Sequence, residues 1–256
     1  MKGFKKFLVA GIAAGAMIAG SSTFATAADF EAPVEVPSWT AFWIGGGFGY
    51  GFVNHELGAD YIGDNLDAGA RLSGIGGEGW MGRIGGGYDY QFDSSEFVVG
   101  IFGDYTFSDI DTKATLGIDT GIGDGPALSA GYKIETENSW FVGGRVGYLV
   151  NPDTLIYGLV GYSEIDFKAR GFLEICGDGC QRDGLRYGWT QGGIAWGGGV
   201  ETKITENITA KLEYRYQDLD RKTIFAGRDV FDDGDLIRAY VDTNVQSVMA
   251  TVNWRF

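Results

Sequence analysis

The amino-acid sequence predicts an all-β fold, an eight-stranded antiparallel β-barrel that spans a membrane. Eight segments alternate apolar and polar residues with a period of two, which is the pattern of a strand with two different faces. As we assign them, one face of each segment carries apolar and aromatic residues without charge, and the opposite face carries charges of both signs. The connections alternate between short turns and long polar stretches. A barrel with lipid outside and polar groups inside requires this combination.

The N-terminal segment predicts export. A basic start is followed by an apolar run that is too short to span a membrane, and then by small residues typical of a cleavage site. We therefore predict a signal peptide at 1–27, a periplasmic N-terminal leader at 28–40 and a barrel at 41–256. A buried helix at the N-terminus is the alternative.

The composition excludes several classes of protein. The 256 residues include 44 glycines but only four prolines, which does not fit a disordered Pro/Gly chain. The net charge is −14, and no basic stripe is present, so nucleic acid is not an expected partner.

In an exported chain, Cys176 and Cys180 predict a short-loop disulfide. A metal site would need more ligands, and the single histidine, His55, is far away in sequence.

The segment at 80–92 shows the alternation most clearly. Its row predicted to face lipid is Trp80, Gly82, Ile84, Gly86, Tyr88, Tyr90 and Phe92. Its opposite row contains Arg83 and Asp89. Six further segments follow the same rule, namely 42–53, 97–107, 140–150, 189–204, 208–216 and 247–256.

The segment at 154–167 is more ambiguous. We assign one row to the lipid face, consisting of Leu155, Tyr157, Leu159, Ile165 and Phe167. This assignment places Glu164 and Asp166 on the opposite face.

The glycine-rich stretch WIGGGFGYGF at 43–52 could be a phosphate-binding loop or a strand. It does not match the dinucleotide-binding pattern G-x-G-x-x-G, and the one match, at 74–79, precedes a strand where that motif requires a helix. We therefore interpret 43–52 as part of the first strand, with small residues on its inner face.

The connections predict which end of the barrel faces outward. Short turns are expected at 93–95, 151–153 and 205–207. Four long outer loops are expected at roughly 54–79, 109–139, 168–188 and 218–243. A soluble β-sandwich is the alternative, but four long loops on one side and a signal peptide do not favour it.

The interior of an eight-stranded barrel is only wide enough to be filled by side chains. We predict that inward-facing charges form an ion network in the lumen, and that this network closes the barrel to solute flow. The predicted members are Arg83, Asp89, Asp104, Arg145, Glu201, Lys203, Lys211, Glu213 and Arg215. Such a network must be almost fully paired to be tolerated.

Several motifs carry a family resemblance. The stretches TAADF, FWIGGGFGYGF, AKLEYRY and the terminal VNWRF resemble the small eight-stranded outer-membrane barrels of alphaproteobacteria, the opacity-like and OmpA-transmembrane-like porin family. The resemblance implies an exported surface protein with a structural, often antigenic role, in contact with outer-membrane lipid and lipopolysaccharide. It also implies that the barrel-assembly machinery reads the terminal residues Val252, Trp254 and Phe256. Some members of this family are adhesins or haemin binders.

Three further functions would use residues of the predicted loops. Some outer-membrane barrels modify lipid A, and His55, at the start of a predicted loop, could act as a general base in such a reaction. No partner motif accompanies His55, so we expect it to be a solvated loop residue. We therefore expect no enzyme activity and no cofactor. Calcium binding would use an acidic loop containing Asp229, Asp232, Asp233 and Asp235. The spacing of these residues does not fit a calcium loop, and a solvated loop is favoured.

Surface recognition would use the loop aromatics Tyr61, Phe225 and Phe231. Haemin would need an axial ligand, for which His55 or a loop tyrosine is the candidate. The sequence does not specify an external ligand.

Overall fold

The computed structural model describes residues 38–62, 67–118, 127–176, 180–228 and 236–256. Eight antiparallel strands form a closed barrel in which each strand pairs with its neighbours in sequence and β1 pairs with β8. The strands are β1 Ala41–Ile62, β2 Asp67–Gln91, β3 Phe97–Ile118, β4 Ala127–Asn151, β5 Thr154–Cys176, β6 Cys180–Lys203, β7 Ile208–Arg228 and β8 Leu236–Arg255. The predicted fold class is confirmed. The predicted signal peptide and most of the leader lie outside the described residues.

No helix in the described part of the chain is long and apolar enough to cross a membrane.

The faces of seven strands agree with the predicted alternation. In β1, Phe48 is 67% exposed on the outer surface whereas Trp43 is 3% exposed in the interior. In β7, Leu212 is 44% exposed and its neighbour Glu213 is 1% exposed. The outward rows of all eight strands together form an apolar, aromatic-rich band around the barrel, and this band matches the hydrocarbon layer of a membrane.

The predicted orientation of β5 is wrong. Leu155, Tyr157 and Phe167 of the row that we assigned to lipid are buried in the lumen. Glu164 and Asp166 instead lie on the outer surface, where Glu164 accepts a hydrogen bond from Trp140 (3.3 Å) and Asp166 accepts one from Thr190 (2.6 Å). The lumen at this strand is lined by apolar side chains, so the apolar row of β5 is its inner row.

The predicted long loops are mostly strand. The four strand pairs at this end of the barrel, which we call the hairpin end, continue their ladders up to Ile62↔Asp67, Ile118↔Leu128, Cys176↔Cys180 and Arg228↔Leu236. The polar composition of these segments hid the strands, because a strand with water on both sides needs no apolar row. The opposite end, with its short turns, is called the turn end.

At the hairpin end, the barrel divides into two four-stranded panels. The β2–β3 ladder ends at Glu78↔Asp111, and the β6–β7 ladder ends at Gly193↔Leu219. Beyond these pairs, β3 to β6 form one sheet, which we call panel A. In the same way, β7, β8, β1 and β2 form a second sheet, which we call panel B.

The two cysteines end neighbouring strands. The backbone of Cys176 lies opposite that of Cys180 in the ladder between β5 and β6. Their side chains lie outside the described residues, and the disulfide stays a prediction.

The glycines of β1 allow β8 to approach closely at the seam where the barrel closes. A Cβ atom at Gly47 would overlap the carbonyl oxygen of Ala250 and would lie 2.6 Å from Thr251 Cα. We expect Gly47→Ala to destabilise the barrel by about 1–3 kcal/mol, because backbone atoms cannot move aside as a flexible side chain can. Gly82→Ala is the control, since a Cβ atom there meets nothing within 4 Å. Equal urea midpoints for the two variants in folded, lipid-inserted protein would contradict this prediction.

Candidate functional site in the barrel lumen

Trp39 closes the turn end of the lumen. Its side chain is fully buried, although we predicted that this part of the chain belongs to the leader. Its backbone N–H donates to Gln91 (2.9 Å), its indole N–H donates to the carbonyl of Pro152 (3.0 Å), and its carbonyl accepts from Arg255 (2.6 Å). The amine of Lys203 and the guanidinium of Arg255 lie 5.0 and 4.9 Å from the ring centroid. The backbone and side chain of this one residue therefore connect β2, β6, β8 and the β4–β5 turn.

Above Trp39, two arginines and two carboxylates form a buried ionic group. Arg145 donates to both oxygens of Asp89 (2.8 and 2.6 Å) and to Glu201 (2.7 Å). Arg255 contacts the same two acids, at 2.8 Å from Asp89 and 3.4 Å from Glu201. Glu201 also accepts a hydrogen bond from Thr209 (2.6 Å). Each carboxylate is thus held by at least two donors, which is the condition for burying a charge.

A second ionic group surrounds Glu213. This carboxylate accepts hydrogen bonds from Arg83, Arg215 and the Tyr157 hydroxyl, each at 2.8 Å. Arg215 also donates to both oxygens of Asp104 (3.1 and 2.7 Å). Arg83 Nε lies 3.4 Å from Asp104, so the two arginines share both acids.

Lys211 belongs to the second group and makes cations outnumber acids in the lumen. Its amine lies 3.6 Å from Glu213 and 5.0 Å from the ring of Trp43. Five cations therefore meet four carboxylates in this region. Aromatic faces contact the excess positive charge, since the guanidinium of Arg215 lies 4.0 Å from the ring centroid of Phe141.

The structure brings most of the predicted lumen residues together. The eight that meet are Arg83, Asp89, Asp104, Arg145, Glu201, Lys211, Glu213 and Arg215. Lys203 lies at the rim, where its amine donates to the carbonyl of Ser38 (3.4 Å). Arg255 is a member that sequence reasoning missed. The period-two alternation of β8 had placed it on the inner face and could have identified it.

Apolar side chains pack around and above the ionic groups. At the turn end, a buried cluster includes Trp43, Phe102, Phe141, Leu149 and Leu155. Toward the hairpin end, a second buried cluster consists of Val53, Met81, Ile110, Ile134, Ile165, Phe167, Trp189, Leu219, Val245 and Met249. The charged groups are therefore separated from the hairpin end by an apolar layer.

His55 belongs to this upper layer, and the prediction of a solvated loop residue is wrong. It is fully buried, its Nδ1 lies 2.9 Å from Thr243 Oγ1, and its ring meets the edge of Phe167 at 5.6 Å between centroids. Phe167 stacks on Trp189 at 5.4 Å. Because β1 continues to Ile62, His55 points into the lumen. This placement removes it as an accessible base or haemin ligand.

The remaining predicted surface residues are only partly described. The acidic stretch at 229–235, with Phe231, and the side chain of Phe225 lie outside the described residues. Tyr61 lies on β1 near the hairpin end. Within the described ranges, no group of three or more His, Cys, Asp or Glu side chains could hold a metal ion.

The C-terminal residues lie on the outer surface of β8 and at its end. Val252, Trp254 and Phe256 are all exposed on the lipid-facing side. The backbone N–H of Phe256 donates to the carbonyl of Phe42 (3.1 Å), which continues the seam between the first and last strands. Recognition of these residues by the assembly machinery stays a prediction.

A model of the outer membrane protein beta-barrel domain matches residues 12–256. The chain belongs to this family. It is 29% identical over 265 residues to a 31 kDa outer-membrane immunogenic protein of Brucella melitensis biotype 1, with 98% of this chain and 100% of the relative covered. It is also 29% identical to a 22 kDa outer membrane protein of Rhizobium leguminosarum bv. viciae, with 84% and 79% covered. The predicted alphaproteobacterial family is confirmed.

Solved structures with a similar fold include outer membrane proteins of other bacteria. OprG from Pseudomonas aeruginosa has a TM-score of 0.44 and 14% identity, with 86% of this chain and 97% of that chain covered. Ail of Yersinia pestis has a TM-score of 0.34 and 15% identity, with 82% and 99% covered. The family match and the closed ring of eight strands, rather than these structures, identify the protein as an integral β-barrel of the bacterial outer membrane, as predicted.

Proposed function

We propose that this outer membrane β-barrel is a structural surface protein that contributes to the integrity of the envelope and is not an open pore. The observation that supports this proposal is the filling of the lumen. The nine charged side chains of the two ionic groups are cross-linked over most strands of the barrel, and apolar clusters pack around and above them. A solute would have to separate buried ion pairs and displace apolar side chains in order to pass.

Reconstitution tests the absence of a pore. We expect liposomes that contain the folded protein to swell in a small sugar no faster than protein-free liposomes, and planar bilayers to show no steady conductance. An open porin, reconstituted at a similar protein-to-lipid ratio, is the positive control. Steady sugar diffusion through the reconstituted barrel would overturn the proposal.

Surface recognition is a second candidate, and the length of the panels favours it. Both panels continue as paired strands far beyond the apolar band, which provides a rigid support for recognition at the hairpin end. The Brucella relative is named an immunogenic protein, which fits exposure at the cell surface. Protease treatment of intact cells tests this exposure, because cleavage near 63–66 or 229–235 is expected and cleavage at the short turns is not.

Binding of haemin or of a host factor, and modification of lipid A, are weaker candidates. His55 is the candidate residue for both haemin binding and catalysis, and it contacts Phe167 and Thr243 within the lumen. The names of the Brucella and Rhizobium relatives describe outer-membrane proteins. A loop tyrosine would have to replace His55 as the haemin ligand.

A further inference from the structure

The outer face of panel A carries four basic residues in one row. The strand register places Lys113 opposite Lys133, Lys133 opposite Arg170, and Arg170 opposite Arg186. All four lie on the face turned away from the lumen. Thr112 and Ile134, next to Lys113 and Lys133, are buried in the inner rows, and Ala169, next to Arg170, packs against the upper buried cluster. On β6, Trp189 is buried in the inner row, and Arg186, three residues away, is therefore on the outer row. We call these four residues the basic row.

Like charges that lie directly opposite each other on neighbouring strands are destabilising. The basic row is only partly compensated by acids. Lys133 lies 2.9 Å from Asp111 and 2.6 Å from Glu135, and Lys113 and Arg170 use the same two carboxylates, at 3.1 and 3.0 Å.

The hydrogen bond between Lys133 and Glu135 lowers the pKa of Glu135 and raises that of Lys133, so both remain charged near neutral pH. Arg186 makes no ion pair or side-chain hydrogen bond with the described part of the chain. Four cations therefore share two acids, and the row retains a net positive charge.

The height of the row above the membrane restricts its partner. On β5, the last outward aromatic residue of the apolar band is Tyr162, and Arg170 follows eight residues later. With a rise of about 3.3 Å per residue and a strand tilt of about 40°, Arg170 lies roughly 20 Å above the edge of the band. The polar headgroup zone is only about 5–8 Å thick on each side of the hydrocarbon.

The charges between the band and the basic row are mainly acidic. Asp109, Glu164 and Asp166 point outward at the level where lipid phosphates lie. Lys168 is the one outward cation of β5 in this zone, and it is paired with Glu137 at 2.6 Å. At the level of the lipid phosphates, the barrel therefore offers no basic surface. The basic surface lies higher, at the level of the basic row.

We propose that the basic row binds the anionic core saccharide of the lipopolysaccharide molecules that surround the barrel. In the outer leaflet, the outer face of panel A is turned toward these sugars, and their acidic groups supply the counter-charge that Asp111 and Glu135 leave incomplete. Arg170 and Arg186 can each hold a phosphate or carboxylate through two parallel hydrogen bonds. The proposal goes beyond the sealed structural barrel, and an open lumen would leave it unaffected.

Binding of core saccharide to the purified, folded protein tests the proposal. The test variant is Lys113→Gln/Lys133→Gln/Arg170→Gln/Arg186→Gln. The matched control removes four basic residues from panel B, by Arg71→Gln/Arg221→Gln/Lys222→Gln/Arg238→Gln. The probes are the oligosaccharide released from full-core lipopolysaccharide, and bicelles that contain either full-core lipopolysaccharide or lipid A alone.

We expect the test variant to bind the oligosaccharide at least about fivefold more weakly than wild type, and the control to stay within about twofold. Wild type should prefer full-core bicelles to lipid A bicelles, and added salt should remove this preference. Equal losses in the two variants, no loss in the test variant, or equal binding of wild type to both bicelles would overturn the proposal.

A smaller variant guards against misfolding of the fourfold change. Arg186→Gln breaks no ion pair within the described part of the chain, and it should still weaken oligosaccharide binding about twofold. On a denaturing gel, unheated samples of both variants must migrate faster than heated samples, as a folded barrel does. Unchanged binding by folded Arg186→Gln would assign the core saccharide to another surface, whether or not the fourfold variant folds.

Discussion

Replacing Arg145 with methionine is expected to lower the free energy of unfolding by about 3–5 kcal/mol. The guanidinium is almost fully buried and makes three hydrogen bonds, two to Asp89 and one to Glu201. Methionine fills part of the volume but leaves two carboxylates in the lumen with less compensation. The cost arises from these uncompensated charges more than from the lost contacts of the arginine.

The measurement is equilibrium urea unfolding of the barrel in lipid vesicles, followed by tryptophan fluorescence. Arg71→Met is the matched control, because Arg71 is exposed and lies 4.0 Å from Glu56, and we expect a change below about 1 kcal/mol. The double variant Arg145→Met/Glu201→Gln should cost less than the sum of the two single changes, since it removes one charge of each sign. Additive costs would mean that Arg145 and Glu201 are not coupled.

Much of this site could be predicted from the alternation of the strands alone. Once a lipid-facing row is identified, every charged residue on the opposite row of a narrow barrel must find a partner inside, and Arg145 and Glu201 do so. The sequence does not determine which acid each arginine meets, because that depends on how far the strands are staggered around the barrel. Trp39 was missed for a related reason, since it precedes the first strand and has no alternation to reveal it.

The errors have physical causes as well. In β5, both rows contain apolar residues, and the assignment relied on keeping Glu164 and Asp166 out of lipid. Those two acids lie above the apolar band, so the argument applied a lipid criterion to residues outside lipid. His55 was misplaced because its strand continues beyond the band into a polar stretch, where composition suggests a loop although the backbone ladder persists as far as Ile62↔Asp67.

Placing a charge on the lipid-facing row tests the identification of the apolar band. Leu212 points outward, and its partners in the ladders are Val200 and Ala250, both on the outer surface. We expect Leu212→Arg to lower the free energy of unfolding from a bilayer by about 2–4 kcal/mol. The variant is less stable because the guanidinium must either enter hydrocarbon or thin the bilayer locally.

Two controls separate the effect of lipid from other effects of the substitution. Leu72→Arg makes the same change on an exposed part of β2 at the hairpin end, where water replaces lipid, and should cost less than about 0.5 kcal/mol. Thr209→Ser keeps the hydroxyl that donates to Glu201 inside the lumen and should be nearly neutral. Urea titration in vesicles gives the three free energies, and the mobility of unheated protein reports insertion. If Leu212→Arg and Leu72→Arg cost the same, the outward row at Leu212 does not contact hydrocarbon, and the position assigned to the membrane on this barrel is wrong.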